Sequence, residues 1–162
     1  MNQIFVSQAK WMRIAIDDAL HHMGLTEGGP FGACIVKGSE IIAVAHSTVL
    51  RERDPTCHAE VNAIRQAARH LHHYDLNECV IYSTTEPCPM CFSAIHWANI
   101  RTIVFGTRIA DAKLLGFNEL DLSNELMKRE GHSRVEIVGD FLRDECEQLL
   151  KTWRQISKGL AY

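Results

Sequence analysis

Two short, separated motifs constrain this chain more than any other feature. The first is His58-Ala59-Glu60, and the second is the run Pro-Cys-Pro-Met-Cys at residues 87–91. One histidine and two cysteines, Cys88 and Cys91, form a ligand set that suits Zn²⁺, and three protein ligands leave the fourth tetrahedral position to water. The sequence therefore predicts one catalytic zinc ion per subunit, held by His58, Cys88 and Cys91.

Glu60 supplies the second half of the predicted chemistry. It lies two residues after the histidine, need not bind the metal, and can therefore move protons at the bound water. The order H-x-E and then P-C-x-x-C is the signature of zinc deaminases. We therefore predict a hydrolytic deaminase of a planar heterocycle with an amidine-like C–NH₂ group, such as cytosine, adenine, guanine or a relative.

Three other interpretations of these residues stay open at this stage. The C-P-M-C run next to a strand could be a thioredoxin-like redox pair. Cys57 could complete a structural, four-ligand zinc site, although two adjacent side chains would then have to turn to one metal. A histidine-rich tract could form a second metal site, but it suits the negative end of a helix better; its members are His70, His72 and His73.

Length and composition limit the class of protein. A chain of 162 residues is long enough for one domain with a real core, so we expect a single zinc-dependent deaminase domain over residues 1–162. No long apolar run predicts a membrane span, and the first residues lack a basic secretory region, so a cytoplasmic location is expected. The formal net charge of −3 argues against a nucleic-acid partner.

Apolar periodicity predicts alternating helices and strands. The predicted helices cover residues 3–23, 59–71, a run from 87, 120–129 and 141–157, and the predicted strands cover 31–37, 40–45, 80–84, 103–105 and 135–138. Residues 46–55 and 106–118 are predicted loops, Thr56 is a possible N-cap, and His58 is expected at the irregular start of its helix. This order predicts a three-layer α/β/α sandwich around one five-stranded mixed sheet, with its last three strands parallel.

Four runs carry a resemblance to a known family: Gly-Gly-Pro-Phe-Gly-Ala at 28–33, Asp-Pro-Thr-Cys-His-Ala-Glu at 54–60, Glu-Pro-Cys-Pro-Met-Cys at 86–91, and Asp111-Ala112 followed by Gly116-Phe117. They resemble the cytidine-deaminase-like superfamily and, within it, most the bacterial guanine deaminases and related nucleoside deaminases. The resemblance implies a homodimer that converts guanine to xanthine and ammonia.

The same resemblance implies a set of substrate contacts. An acidic residue after the fourth strand contacts guanine, and Asp111 holds the matching place. A C-terminal tyrosine, here Tyr162, closes the pocket, often that of the neighbouring subunit. The backbone at Ala59 and the carbonyl of Glu86 would hold the polar edge of the substrate, and Phe31 would help to wall the pocket.

Ser47 departs from the family pattern. Counting back from His58 without gaps, the family has a substrate-binding asparagine where this chain has Ser47, and serine offers a single hydroxyl in place of an amide. Cytosine, cytidine or an aminotriazine are therefore alternative substrates.

The tRNA adenosine deaminases share the zinc motifs with this chain. They also carry a small-residue run after the fourth strand, which this chain lacks, and a more basic surface. A nucleic-acid partner is therefore less favoured than a small-molecule substrate.

Overall fold

The computed structural model describes residues 3–158 and 160–162, with side chains from residue 8 onward. One sheet has the strand order β2-β1-β3-β4-β5. The strands are β1 (Gly32–Lys37), β2 (Glu40–His46), β3 (Cys79–Thr85), β4 (Thr102–Thr107) and β5 (Glu136–Val138). Strand β1 is antiparallel to β2 and β3, whereas β3, β4 and β5 are mutually parallel. The predicted five-stranded mixed sheet and its parallel half are confirmed.

Helices cover both faces of the sheet. In the described part of the chain they are α1 (Gln3–His22), α2 (Val49–Glu52), α3 (Ala59–His70), α4 (Pro89–Trp97), α5 (Ile109–Leu114), α6 (Asn124–Glu130) and α7 (Arg143–Ser157). Helices α1 and α7 pack on one face, and α3, α4 and α6 lie on the other. The predicted three-layer α/β/α sandwich is therefore confirmed.

Alternation along the strands explains why the sheet is buried on both sides. Successive side chains of a strand point to opposite faces. Ile35 and Ile81 belong to the core beneath α3 and α4, whereas their neighbours Cys34 and Tyr82 belong to the core beneath α1 and α7. Both sets are apolar, so neither face can remain in water.

Local capping accounts for the differences from the predicted elements. The predicted loop 46–55 contains the single turn α2, and the predicted loop 106–118 contains α5. The helix predicted over 120–129 starts only at Asn124, because the Ser123 side chain caps it by accepting a hydrogen bond from the Leu126 backbone amide. Thr56 is not an N-cap, since its hydroxyl bonds to Asp54 and His58 takes the N-cap position.

The two motifs meet at one edge of this fold. His58 stands at the start of α3, and residues 86–88 join the end of β3 to the start of α4. Helices α3 and α4 are neighbours in the same layer, so both present their N-terminal ends to this edge. Among the described residues, no helix has both the length and the apolar character needed to cross a membrane.

Candidate active site

His58 and Glu60 reach the same site because they occupy different kinds of helix position. His58 is the N-cap of α3 and has extended backbone angles, φ −68° and ψ 156°, whereas Glu60 is the second residue within the helix. Residues at i and i+2 of a regular helix do not face each other. Because His58 has extended backbone angles, its side chain and that of Glu60 can point to the same site. The predicted irregular start of the helix at His58 is therefore confirmed.

Cys88 and Cys91 are presented by the start of α4 in the same way. Cys88 is the N-cap, with φ −61° and ψ 167°, and Pro89 follows as the first helical residue, where its missing N–H costs no hydrogen bond. Cys91 lies on the first turn and is fully buried. The electropositive end of a helix favours the thiolate form that zinc requires.

The three predicted ligands fit a zinc ion. His58 Nδ1 lies 3.6 Å from the Sγ atom of Cys88 and 3.6 Å from that of Cys91. Zn–N and Zn–S bonds at tetrahedral angles put the nitrogen and sulfur ligands about 3.6 Å apart. Both cysteines are free thiols. A hydrogen bond from Cys91, helped by His58, lowers the pKa of Cys88 to about 4, so a thiolate is available at neutral pH.

This geometry decides between the open interpretations of the cysteines. The described residues place three ligand atoms within 4.8 Å of one another, from His58, Cys88 and Cys91, and Cys57 is not among them. The Cys57 thiol instead contacts Arg65 Nη1 at 3.7 Å. A four-ligand structural site is therefore not formed. A histidine between the two thiols also distinguishes the site from a simple redox pair.

Glu60 is buried and held by a hydrogen bond. Its Oε1 atom lies 3.0 Å from the Ser83 hydroxyl, which also lies 2.7 Å from the Thr85 carbonyl oxygen. The single hydroxyl proton of Ser83 can be donated either to the Glu60 carboxylate or to the Thr85 carbonyl oxygen. Burial raises the pKa of Glu60, and the negative charge of Cys88 raises it further. Glu60 is therefore suited to pick up and release a proton.

A cavity of about 280 Å³ opens beside the zinc ligands. Among the side chains that line it are His58, Cys88, Phe31, Phe117, Glu119 and Tyr162. The Phe117 ring lies edge-on to Phe31, with centroids 4.9 Å apart, and edge-on to Tyr162, with centroids 5.4 Å apart. The structure therefore brings the predicted wall residues Phe31 and Tyr162 together around a third aromatic residue.

Tyr162 is anchored within its own chain. Its hydroxyl accepts a hydrogen bond from the Gly29 backbone amide at 2.7 Å and lies 2.8 Å from the Ser47 hydroxyl. Ser47 is buried, with 1% of its surface exposed, and does not line the cavity. A Cβ atom at Gly29 would lie 2.8 Å from the Phe31 ring and 3.0 Å from the Tyr162 hydroxyl, so a side chain there would displace both cavity residues. Ser47 thus reaches the cavity only through Tyr162.

The structure does not bring Asp111 to the cavity. Its carboxylate accepts hydrogen bonds from the Arg108 backbone amide at 2.7 Å and from Arg143 Nη2 at 2.9 Å. These bonds cap α5 and tie it to α7, and they account for the carboxylate without a substrate. The predicted contact between Asp111 and the substrate finds no support in this geometry.

Ala59 and Glu86 lie at the edge of the site as predicted, but both are buried. Ala59 is the first residue of α3 and has no exposed surface. The Glu86 carboxylate is turned to the backbone amides of Ile109 and Asn124. Their roles as backbone contacts to the substrate stay predictions.

Glu119 is a cavity residue that the sequence reasoning missed. It lies on the loop between α5 and α6, is half-buried, and lines the same cavity as His58 and Cys88. Burial raises the pKa of Glu119 to about 7, and the charge of Cys88 adds to the effect. The sequence signal that could have identified Glu119 is its position two residues after Phe117, next to the Gly116-Phe117 run that was used to select Asp111.

A second cluster of possible metal ligands is explained by ion pairs. Asp18, His22 and His46 have ligand atoms within 4.8 Å of one another. However, His46 Nδ1 lies 2.8 Å from Asp18 and Nε2 lies 3.1 Å from Glu27, so both ring nitrogens are already engaged by carboxylates. The hydrogen bond to Asp18 raises the pKa of His46, which favours an imidazolium between two acids. The tract His70, His72 and His73 forms no such cluster in the described part of the chain.

Comparison with known proteins places the zinc site in a family. The model of the cytidine and deoxycytidylate deaminase zinc-binding region matches residues 6–107. The guanine deaminase of Bacillus subtilis (strain 168) is 45% identical over 135 residues, which are 83% of this chain and 86% of that protein. The tRNA-specific adenosine deaminase of Buchnera aphidicola subsp. Schizaphis graminum (strain Sg) is 33% identical over 145 residues, covering 88% of this chain and 91% of that protein.

A solved structure gives the same result for the fold. A crystal structure of a protein in complex with 8-azaguanine matches with a TM-score of 0.83 and 25% sequence identity, covering 91% of this chain and 84% of that chain. The family match spans more than half of this chain and contains both motifs. This protein is therefore a zinc-dependent deaminase that belongs to the cytidine and deoxycytidylate deaminase zinc-binding family.

Proposed function

We propose that the substrate is guanine, which the enzyme converts with water to xanthine and ammonia. The observation that carries this choice is the 45% identity to the guanine deaminase of Bacillus subtilis over most of both chains. The zinc ligands and Glu60 do not identify the substrate, because members of the family use the same residues to deaminate several bases. The solved complex with 8-azaguanine, a guanine-like base, supports the same class of ligand.

Glu60 carries the protons of the proposed reaction. Zinc held by His58, Cys88 and Cys91 would lower the pKa of a water molecule to about 7, so that it attacks at neutral pH. The Glu60 carboxylate takes the proton of that water and passes it to a ring nitrogen of guanine. It then takes the second proton of that water, from the oxygen now bonded to the ring carbon, and delivers it to the departing amine, as the new C–O bond replaces the C–NH₂ bond. Ser83 holds one Glu60 oxygen in place throughout.

The remaining cavity residues suit a planar purine with hydrogen-bond donors on one edge. Phe31, Phe117 and Tyr162 offer aromatic surfaces to a flat ring. Guanine presents a ring N–H beside its exocyclic amine, and the Glu119 carboxylate can accept hydrogen bonds from that edge. The Ala59 backbone and the Glu86 carbonyl are proposed to hold the other polar groups. Ser47 contributes by holding Tyr162 rather than by touching the base.

Ammonia release from a panel of bases tests the proposal. The panel is guanine, guanosine, cytosine, cytidine, adenine, adenosine and an aminotriazine, with zinc-loaded wild type and the Glu60→Gln variant side by side. We expect guanine to give the highest kcat/KM, xanthine to appear in equal amount to ammonia, and Glu60→Gln to release both about 10³-fold more slowly. A higher kcat/KM for any other member would replace guanine with that substrate.

Editing of tRNA is the second candidate, because tRNA-specific adenosine deaminases are also similar over most of the chain. The net charge of −3 does not favour it. An editing enzyme would bind tRNA with an affinity that falls steeply as salt rises, and would convert adenosine within the tRNA. We expect neither with this protein.

The homodimer implied by the family resemblance is also a proposal. Trp97 on α4 has 79% of its surface exposed, and a subunit interface would remove this apolar surface from water. Tyr162 already reaches the cavity of its own chain, so an exchanged tail is not needed to complete the site. The mass in solution from light scattering tests the dimer, and a monomer at all concentrations would contradict it.

A further inference from the structure

We propose that the Glu86 side chain is a positioning residue that sets the place of Glu119 in the cavity. Glu86 directly follows β3 and lies two residues before the ligand Cys88. Its carboxylate anchors both ends of the segment that carries Phe117 and Glu119. The functional part of this inference rests on the proposed contact between Glu119 and guanine.

The Glu86 carboxylate joins two consecutive helices, α5 and α6, across the loop 115–123 that separates them. Its Oε1 atom accepts a hydrogen bond from the Asn124 backbone amide at 2.8 Å, and Oε2 accepts one from the Ile109 backbone amide at 3.3 Å. Only 5% of the Glu86 surface is exposed, so water cannot take over either bond. One side chain therefore fixes two backbone positions on either side of the cavity loop.

Those two positions are the first residues of short helices. Ile109 starts α5, which has six residues, and Asn124 starts α6, which has seven. Helices this short have little stability of their own. Their first amides have no partner within the helix, and the positive ends of both helices favour a carboxylate. The Glu86 carboxylate thus accepts a hydrogen bond from an otherwise unpartnered amide at the start of α5 and at the start of α6, and its negative charge suits the positive end of both helices.

The side chain of Asn124 adds a third hydrogen bond between the start of α6 and the segment that follows β3. Asn124 is fully buried, and its Nδ2 atom donates to the Pro87 carbonyl oxygen at 2.6 Å. The start of α6 is therefore tied to the chain both at Glu86 and at the residue just before Cys88. Residues 115–123, which include the cavity residues Phe117 and Glu119, connect α5 to this anchored start of α6.

Replacement of Glu86 by glutamine tests the anchor with almost no change in volume. The amide nitrogen of glutamine cannot accept from a backbone N–H, so one of the two anchoring bonds is lost. We expect kcat/KM for guanine to fall about tenfold or more, because small misplacements of a binding group are costly. The loss should lie in KM, with kcat within about threefold of wild type, since Glu119 is proposed to bind the base.

A double-variant comparison with Glu119 distinguishes a positioning role of Glu86 from a general contribution to stability. The experiment compares zinc-loaded wild type, Glu86→Gln, Glu119→Gln and the double variant, with Glu130→Gln as an exposed control on α6. If Glu86 acts through Glu119, the double variant should have the kcat/KM of Glu119→Gln within about twofold. Independent, multiplicative losses, or a Glu86→Gln variant with a lower Tm but unchanged KM, would overturn the proposal.

Hydrogen exchange gives a readout that does not depend on activity. We expect Glu86→Gln to speed exchange at residues 115–123 and at the Asn124 amide, with α3 and the zinc content unchanged. Unchanged exchange in this segment would refute the anchor even if guanine proves not to be the substrate. If Glu86→Gln does not fold, Asn124→Ser removes only the bond to Pro87 and should show a smaller KM increase with the same dependence on Glu119.

Discussion

The zinc ligands and the cavity residue Tyr162 of this enzyme are held in two different ways. His58 and Cys88 are N-caps, and bonds over four residues fix them: the Asn62 amide to the His58 carbonyl at 2.9 Å, and the Phe92 amide to the Cys88 carbonyl at 2.8 Å. Tyr162, in contrast, is held by Gly29 and Ser47, more than a hundred residues away. The zinc half of the site, which contains His58 and Cys88, is therefore held by local helix starts. The proposed binding half, which contains Tyr162, is held by distant contacts.

This difference separates the reaction type from the choice of base. A local, buried set of ligands can be kept while the loop and tail around it change. Changes at the zinc half should therefore abolish turnover, whereas changes at the binding half should alter kcat/KM or the preferred base. The five predictions below test that separation, beginning with the largest expected effect.

Loss of a zinc ligand should have the largest effect. Cys88→Ser removes one of three protein ligands, and a neutral hydroxyl is a poor replacement for a thiolate. We expect the variant to lose most of its zinc and all measurable deamination. Elemental analysis of the purified variant measures the zinc, with Cys57→Ser as the matched control because Cys57 lies outside the ligand cluster. Full zinc occupancy in Cys88→Ser would remove Cys88 from the site.

Glu60→Gln should separate chemistry from metal binding. Glutamine keeps the size of the side chain but cannot shuttle a proton, and general acid–base catalysis contributes about 10²- to 10⁴-fold. We expect kcat to fall by about 10³-fold while zinc content stays at the wild-type level. Steady-state ammonia release together with elemental analysis measures both. A kcat near that of wild type would exclude Glu60 as the proton carrier.

Glu119→Gln should weaken binding of the base without affecting the metal. Loss of a partly buried, charged hydrogen bond should lower kcat/KM about 10- to 100-fold. The pH dependence of metal-free protein offers a second readout, because burial raises the pKa of Glu119 to about 7 from the unfolded value of 4.5. The folded state then binds the proton more tightly, so the free energy of unfolding should fall as pH rises from about 4.5 to about 7.

Comparison of denaturation across this pH range tests the sign of that effect. Wild type should lose stability between the two pKa values, and Glu119→Gln should lose less over the same interval, since glutamine does not titrate. Parallel stability profiles for the two proteins would show that Glu119 is not the titrating group.

Tyr162→Phe should have a smaller effect, because it removes only the hydroxyl that joins Gly29 and Ser47. Loss of such bonds costs about 0.5–1.5 kcal/mol each, so we expect a rise in KM of about 3- to 10-fold with kcat little changed. Ser47→Ala should give a similar but weaker effect. If Ser47→Ala raises KM equally in the Tyr162→Phe background, Ser47 contacts the base directly.

Asp111→Ala should have the smallest effect on catalysis. Its carboxylate caps α5 and pairs with Arg143, away from the cavity. We expect kcat/KM within about twofold of wild type and a loss of about 1 kcal/mol in the free energy of unfolding. Kinetics and denaturation of this variant, compared with Glu119→Gln, show which of the two acids binds the substrate. A large KM increase for Asp111→Ala would restore the role implied by the family resemblance.

Helix capping explains why the sequence predicted some elements better than others. The five strands and the long helices carry regular apolar patterns, and the structure contains all of them. The short helices α2 and α5 have no such pattern, because four and six residues are too few to show a periodicity. Their existence depends on bonds from other parts of the chain, such as that between Glu86 and Ile109.

The sequence by itself determined the reaction. The two motifs have a characteristic composition and spacing, and the helix starts that present them follow from local backbone geometry. The candidate zinc ligands and the predicted proton carrier could therefore be predicted without a structure; they are His58, Cys88, Cys91 and Glu60. Tertiary structure alone decided that Glu119, and not Asp111, lies in the cavity, and that Ser47 contacts Tyr162. Side chains on loops and at a chain end have no periodicity to read, and only packing against distant segments decides which of two nearby acids lines the cavity.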